Sequence, residues 1–330
     1  MTDLTQSLRL EMERFLAQFA GEKVLLIPNE GNAGDCLILA STLTAMAKAS
    51  IEVEVVDNGA DFRNQTVFLG GGGNLIDVYR GMRQSIEACR SKAARIVLLP
   101  HTIRGNAGLL KSLDDRVTIW CRDKRSLEHV GSVNPDLDCR LGHDMAFHCD
   151  VAEYLNDPAC NEYGLPQLRA GLQRVGVNLD RLSRLAVVRF MRTDKESLFS
   201  RIASDLDVSR AFGGVADVEA SKLAAWYFLK TISVSNRVIT DRLHVAIELA
   251  NRGIDRNTGT HVESVRRPVR RLARASSRLG RLEFGHKVCA FNCGETLDRR
   301  GGGLCLQIVV GYCDAGKTAN DREQKGRANH

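Results

Sequence analysis

The chain has 330 residues, 44% of them hydrophobic, enough to build packed cores and to exclude a wholly disordered protein. Its length suits two domains of ordinary size better than one. The net charge of +6 is unevenly spread, −2 over residues 1–250 and +8 over residues 251–330, so the body is slightly acidic and gives no nucleic-acid footprint.

No apolar run approaches the ~20 residues of a membrane-spanning helix. The opening residues Met1–Gln6 carry no basic stretch followed by an apolar one, so they do not read as a secretory signal. Ten cysteines without such a signal are expected to be free thiols in a reducing cytoplasm.

Leu4, Leu8, Met12, Phe15, Leu16 and Phe19 recur at helical spacing and predict an amphipathic opening helix. Lys23–Pro28 is a short apolar run that reads as a buried strand, followed by the turn-rich Asn29–Asp35 and a helix from Cys36. Strands are expected at Ile51–Val56 and Thr66–Leu69, the second running into Gly70–Asn74 and then a helix, with further strands at Arg95–Pro100 and Val117–Trp120. After a polar break at about 150–180 the pattern restarts, with strands at Leu185–Arg189 and Val238–Thr240 and helices at Ala224–Leu229 and Leu243–Ala250. Alternating strands and helices predict an α/β protein of two Rossmann-like parallel-sheet halves. The first half would span residues 1–165 and the second would begin at 180–255, with a ligand cleft at the carboxyl ends of the strands.

Two glycine loops leave strands in the first half. Each is expected to present backbone N–H groups at a helix start, which suits phosphate or carboxylate. Asn32, Gly34 and Asp35 belong to one loop, and Gly72, Gly73 and Asn74 to the other. Neither is a nucleotide P-loop, since no Gly-Lys-Ser/Thr follows. In the second half, Asp241, Arg242 and His244 arrive where a strand gives way to a helix, and Arg192 follows the preceding strand. Arginine offers a forked, permanently charged donor for anions, and histidine moves protons near neutral pH. The structural alternative is that Asp241 caps the helix and its neighbours are polar residues of the first turn. His101 ends another apolar run.

In order, Pro28–Asp35, Gly70–Asp77, Leu99–Ile103, Arg122–Ser126, Asp144–Phe147, Arg192–Asp194 and Thr240–His244 resemble the polysaccharide pyruvyl transferase family across about residues 20–255. His101 departs from the family's usual Gln. The resemblance implies a GT-B fold of two Rossmann-like domains and transfer of a pyruvyl group from phosphoenolpyruvate to a pair of sugar hydroxyls as a ketal. The acceptor would be a polysaccharide, its precursor or a lipid-linked glycan. The enzyme would work in the cytoplasm or peripherally at the inner face of the membrane, with phosphoenolpyruvate as donor substrate and neither cofactor nor metal. It further implies that Arg192 and Arg242 neutralise phosphoenolpyruvate, that His244 protonates its methylene carbon and that Asp35 is an acceptor-side base. Asn32, Gly34, Gly72, Gly73, Asn74, His101 and Asp241 would contribute to substrate binding. Replacing Arg242 or His244 by alanine is expected to abolish ketal formation with the fold intact. Two other classes are weighed beside it, a GT-B glycosyltransferase using a nucleotide sugar and a nucleic-acid-binding protein resting on the basic tail, together with an inactive, truncated member of the family.

Residues 256–330 change character. The segment 256–281 is rich in arginine, has no aromatic residue and shows no strand period, and the spacings among Cys289, Cys293, Cys305 and Cys313 do not form zinc knuckles. With suitable codons, Glu263–Arg274 read one base later encodes Tyr-Asp-Asp-Ser-Leu, close to the closing segment that the family carries. A frameshift between about 250 and 263 is therefore one expected origin of this tail. Burying unpaired guanidinium groups costs several kcal/mol each, so the tail is expected to pack poorly. Limited proteolysis is then expected to remove it before cutting residues 20–150; a resistant tail would show that it is a domain of its own.

Overall fold

Short runs rich in Val, Ile and Leu recur near the N-terminus, most of them separated by helical stretches, the pattern of a parallel sheet covered on both faces. The computed structural model describes residues 2–194, 197, 202–213, 217–235 and 237–255, and the segments 262–264, 290–293 and 306–309, with side-chain surroundings between residues 9 and 251. These fall into two units. One comprises 1–178, 208–233 and 247–257, and the other 179–207, 234–246 and 258–330.

The first unit opens with α1 (Thr2–Leu16), β1 (Lys23–Ile27), α2 (Ala33–Lys48), β2 (Glu52–Val55), β3 (Thr66–Leu69) and β4 (Gly72–Leu75). It continues with α3 (Gly81–Cys89), β5 (Arg95–Ile103), α4 (Ala107–Lys111), β6 (Val117–Cys121), α5 (Lys124–Val133) and β7 (Asp138–Leu141), then α6 (Val151–Leu155) and α7 (Leu165–Arg174). The strands form a parallel sheet in the order β2-β1-β3-β5-β6-β7, with β4 also paired to β5. The expected α/β class and the pairing of the first strand with Thr66–Leu69 are both present, with Leu25 opposite Val67 and Ile27 opposite Leu69.

The side-chain alternation of the strands sorts the core into two layers. Leu25, Ile27, Val67, Leu69, Ile96, Leu98 and Ile119 face Met82 and Ile86 of α3 and Val130 of α5. On the opposite face, Phe68 meets Phe19 edge-on at 5.0 Å and Trp120 meets Phe15 at 5.1 Å, so α1 and the 3-10 turn Ala17–Phe19 that follows it are fastened by aromatic contacts. The edges are less buried: β2 alternates exposed glutamates with half-buried valines, and Lys23 pairs with Glu54 at 2.9 Å.

The glycine run departs from the sequence expectation. Gly70–Asn74 does not lead straight into a helix; β4 pairs with β5, Gly72 opposite His101, and α3 begins only at Gly81. The second loop therefore offers no helix-dipole terminus at Gly72 or Gly73.

The chain continues through α8 (Leu179–Arg184), β8 (Val188–Phe190), α9 (Val208–Ala211), α10 (Val218–Ser233), β9 (Val238–Thr240) and α11 (Leu243–Asp255). α9 and α10 lie in the first unit, where α10 packs on α2. In the second unit, β8 and β9 pair in parallel, Val188 opposite Val238 and Phe190 opposite Thr240. The unit also holds β10 (Val262–Ser264), β11 (Ala290–Cys293) and β12 (Leu306–Val309), which are antiparallel. Apart from these strands, the expectations for residues 256–330 fall outside the described residues. Among the described residues, the cysteines of known surroundings are free, and no helix is long and apolar enough to cross a membrane.

Truncating Phe68, which is fully buried, to alanine is expected to cost about 3–5 kcal/mol, whereas Val78→Ala on the surface stays within about 0.5 kcal/mol. Urea denaturation of the two variants checks this, and a mild effect at Phe68 would mean that the α1 layer does not bear on the sheet.

Candidate functional site

The sheet grows from β1 toward β2 on one side and toward β3 on the other, which makes the carboxyl ends of β1 and β3 a topological switch point, the usual place for a ligand in an open α/β sheet. Asn29 leaves β1 there, Asn74 lies in β4 and His101 in β5. Asn74 donates from Nδ2 to Asn29 Oδ1 at 2.6 Å, and His101 Nε2 donates to Asn74 Oδ1 at 3.0 Å. Asn29 in turn donates from Nδ2 to Asp35 Oδ1 at 3.4 Å. Asp35, Asn29, Asn74 and His101 thus form one continuous polar chain across the strand ends.

Asp35 and Asn32 also build the start of α2. Asn32 Oδ1 accepts from the Gly34 N–H at 2.8 Å, and Asp35 Oδ2 accepts from the Asn32 N–H at 2.8 Å, a capping box with aspartate in the reciprocal place. Asp35 lines a cleft of about 360 Å³, counting the solvent it opens to, together with Asn29, Glu30, Cys36, Asp217 and Ser221. Burial pushes the Cys36 thiol up to about 11, so it stays protonated at neutral pH.

The glycines answer to packing. A Cβ on Gly70 would lie 2.6 Å from the Asn29 backbone nitrogen, on Gly72 2.2 Å from Asn29 Nδ2, and on Gly73 2.5 Å from Arg122 Nη2. Gly72, at φ +156°, also has a backbone that other residues rarely adopt. Close approach of β4 to Asn29 and Arg122 is therefore a sufficient reason for Gly72 and Gly73. Arg122 donates to Thr102 Oγ1 at 2.7 Å and to Asp144 Oδ2 at 2.7 Å, and Asp144 is buried.

A second constellation is contained in the second unit. Arg242 directly precedes α11 and donates from Nε to Asp207 Oδ1 at 2.9 Å and from Nη2 to Asp207 Oδ2, a two-pronged pair. The same Nη2 reaches Asp194 Oδ2 at 3.1 Å. Arg192 donates from Nε to Asp194 Oδ1 at 2.9 Å and from Nη2 to Asp194 Oδ2 at 3.1 Å. Asp241 accepts from the Arg192 backbone N–H at 2.7 Å and from Ser197 Oγ at 3.5 Å, so it fastens β9 to the chain leaving β8 instead of capping α11. Thr240 Oγ1 accepts from the Arg242 N–H at 2.9 Å, and His244 stands half-buried in the first turn of α11.

The sequence-predicted residues therefore gather at two places. Asp35, Asn32, Gly34, Gly72, Gly73, Asn74 and His101 cluster in the first unit, and Arg192, Asp241, Arg242 and His244 in the second. Sequence reasoning passed over Asn29, Arg122 and Asp144, although each lay in a segment at a strand end. Asp207 and Asp194 were also missed. Asp207 lies where no strand or glycine loop drew attention, and its partner is 35 residues distant.

The family model described as Polysaccharide pyruvyl transferase matches residues 32–248. A crystal structure of a protein from Klebsiella pneumoniae, described as functionally uncharacterised, is similar in fold, with a TM-score of 0.58 and 22% identity over 74% of this chain and 86% of that one. No curated protein matches the chain.

Burial, and next the Arg122 charge, depress the His101 imidazole to about 3; burial, and next His143, depress His148 to about 3. Between about pH 3 and the unfolded value near 6.5, the unfolded chain binds protons that the native protein does not. These histidines therefore leave full stability above about pH 6.5 and erode it as the pH falls toward 3, by up to about 1.4 kcal/mol per pH unit for each. His101→Gln keeps a donor for Asn74 and is expected to flatten the dependence by about one proton. Urea denaturation at several pH values checks this; an unchanged slope would mean that His101 titrates in the native protein.

Proposed function

Because the chain belongs to the polysaccharide pyruvyl transferase family, we propose that it transfers a pyruvyl group from phosphoenolpyruvate to two hydroxyls of a glycan, forming a ketal and releasing phosphate. The observation that carries this reading is the convergence of Arg192 and Arg242 on the single carboxylate of Asp194, with His244 two residues after Arg242 in the chain. Phosphoenolpyruvate presents a phosphate and a carboxylate, and paired guanidinium forks recognise such oxygens.

The chemistry follows from charge placement. His244 gives a proton to the methylene carbon, which becomes the methyl group, and the adjacent carbon becomes electrophilic. One sugar hydroxyl adds there. The carbon–oxygen bond to phosphate then breaks, its electrons leaving with phosphate into the positive field of the arginines. The second hydroxyl closes the ketal. The acceptor-side base takes the two hydroxyl protons first, and on release one restores the histidine and the other leaves with phosphate.

The acceptor is assigned to the first unit. The cleft beside Asp35 carries carboxylates and an amide that suit sugar hydroxyls, and Asp35 serves there as the acceptor-side base. Its role in the capping box means that its removal also weakens α2. A GT-B arrangement and a lipid-linked or polysaccharide acceptor at the inner membrane face complete the proposal.

His244→Ala is expected to lower turnover by about 10²–10⁴-fold, read as phosphate release from phosphoenolpyruvate with a glycan acceptor. Arg242→Ala is expected to abolish turnover too, but not with the fold untouched. It strands Asp207 without its guanidinium, at a cost of about 3–5 kcal/mol. Arg242→Lys keeps the charge without the fork and separates the two effects. Full turnover in the His244 variant would remove that residue from proton transfer.

A further inference from the structure

The two aspartates that meet Arg242 differ in kind. Asp207 has a side chain only 5% exposed, and besides Arg242 it accepts from the Thr193 N–H at 2.8 Å and from Thr193 Oγ1 at 3.0 Å. It is a built-in partner that fixes the guanidinium plane. Asp194 is 36% exposed, on the chain that leaves β8, yet its two oxygens receive three donors from two guanidinium groups. The fork of Arg192 and one arm of Arg242 meeting on a single carboxylate is an arrangement that a phosphate or carboxylate ligand would itself encounter.

We propose that Asp194 is a displaceable internal counter-ion, occupying the anion seat formed by Arg192 and Arg242 until an anionic group of the substrate takes its place. Solvent reaches Asp194 and weakens its hold, whereas Asp207 stays paired and keeps Arg242 in position through the exchange. The seat is thereby kept charged and oriented while no substrate is bound, and the two arginines do not repel each other apart. Asp194 acts through the arginines, as a positioning residue. This deepens the pyruvyl-transfer reading and rests on it for the identity of the incoming anion, but not for the exchange itself.

Calorimetric titration of the full-length protein tests it, with inorganic phosphate as one probe and pyruvate as the carboxylate-only probe. Asp194→Asn removes the competing charge and keeps the side-chain size. It is expected to tighten the Kd of the preferred probe by about three- to tenfold, while Asp194→Glu, which keeps the competitor, stays within about twofold of the parent. The gain is expected to vanish when Arg192→Ala is added. An unchanged or weaker Kd in Asp194→Asn, or a gain that survives loss of Arg192, would overturn the proposal, as would a failure of both proteins to bind either probe. A thermal melt of each variant separates lost binding from lost fold. Tighter phosphate binding without turnover of phosphoenolpyruvate would reject the assigned donor and leave the counter-ion standing. Turnover with an unchanged Kd would do the reverse.

Discussion

A guanidinium taken out of water must keep a carboxylate beside it, because the desolvation cost of a lone buried charge is several kcal/mol. In each unit this requirement shapes the ends of parallel strands. Arg122 with Asp144 ties the exit of β6 to the turn after β7, and Arg242 with Asp207 ties the exit of β9 to the segment before α9. Neither pair is a surface decoration. Each takes the remaining donors or acceptors of its neighbours into the same network, Thr102 in the first case and Thr193 in the second. The exits of these strands are thus held by groups that are themselves costly to disturb.

The glycine run shows how such a network constrains the backbone. The chain from Gly70 to Gly73 passes so near to Asn29, Pro100 and Arg122 that side chains on it would overlap them. That proximity lets Asn74 reach both Asn29 and His101. Phosphate binding is not needed to explain why these residues lack side chains. The same atoms still stand at the switch point of the sheet, where backbone and amide groups can meet an incoming hydroxyl.

Much of the first unit was legible in the sequence because buried strands announce themselves as unbroken apolar runs. Val24 to Ile27 and Val67 to Leu69 have no polar face to disguise them. β4 was hidden because glycine carries no strand preference, and Gly72 joins β5 through backbone pairing alone. The stretch Ala224–Leu229 read as a helix but could not say which surface it covers; only folding shows that α10 lies on α2. Arg192, Arg242 and His244 were singled out by their residue chemistry beside strand ends. The carboxylates that meet the arginines were not: Asp194 stood in the Arg192–Asp194 segment without a role, and Asp207 read as an ordinary loop acid until the guanidinium group reaches it. A pairing between residues 35 apart leaves no local pattern.

The packing of α10 on α2 has a consequence for synthesis. Cys36 of α2 and Ser221 of α10 line the same cleft, and Gly213, just before α10, passes so close to the Asn32 backbone that a Cβ there would come within 2.6 Å of it. The outer face of a helix made near the start of translation is thus covered by residues that emerge much later. At about 5–20 residues per second, the ribosome needs roughly 3–11 s to pass from residue 178 to the end of α10. During that interval the N-terminal sheet is complete, but one of its covering helices still faces solvent with small and apolar side chains. Chaperone engagement and aggregation of nascent chains would be concentrated on this face, and an N-terminal fragment ending near residue 178 would carry the same exposed surface permanently.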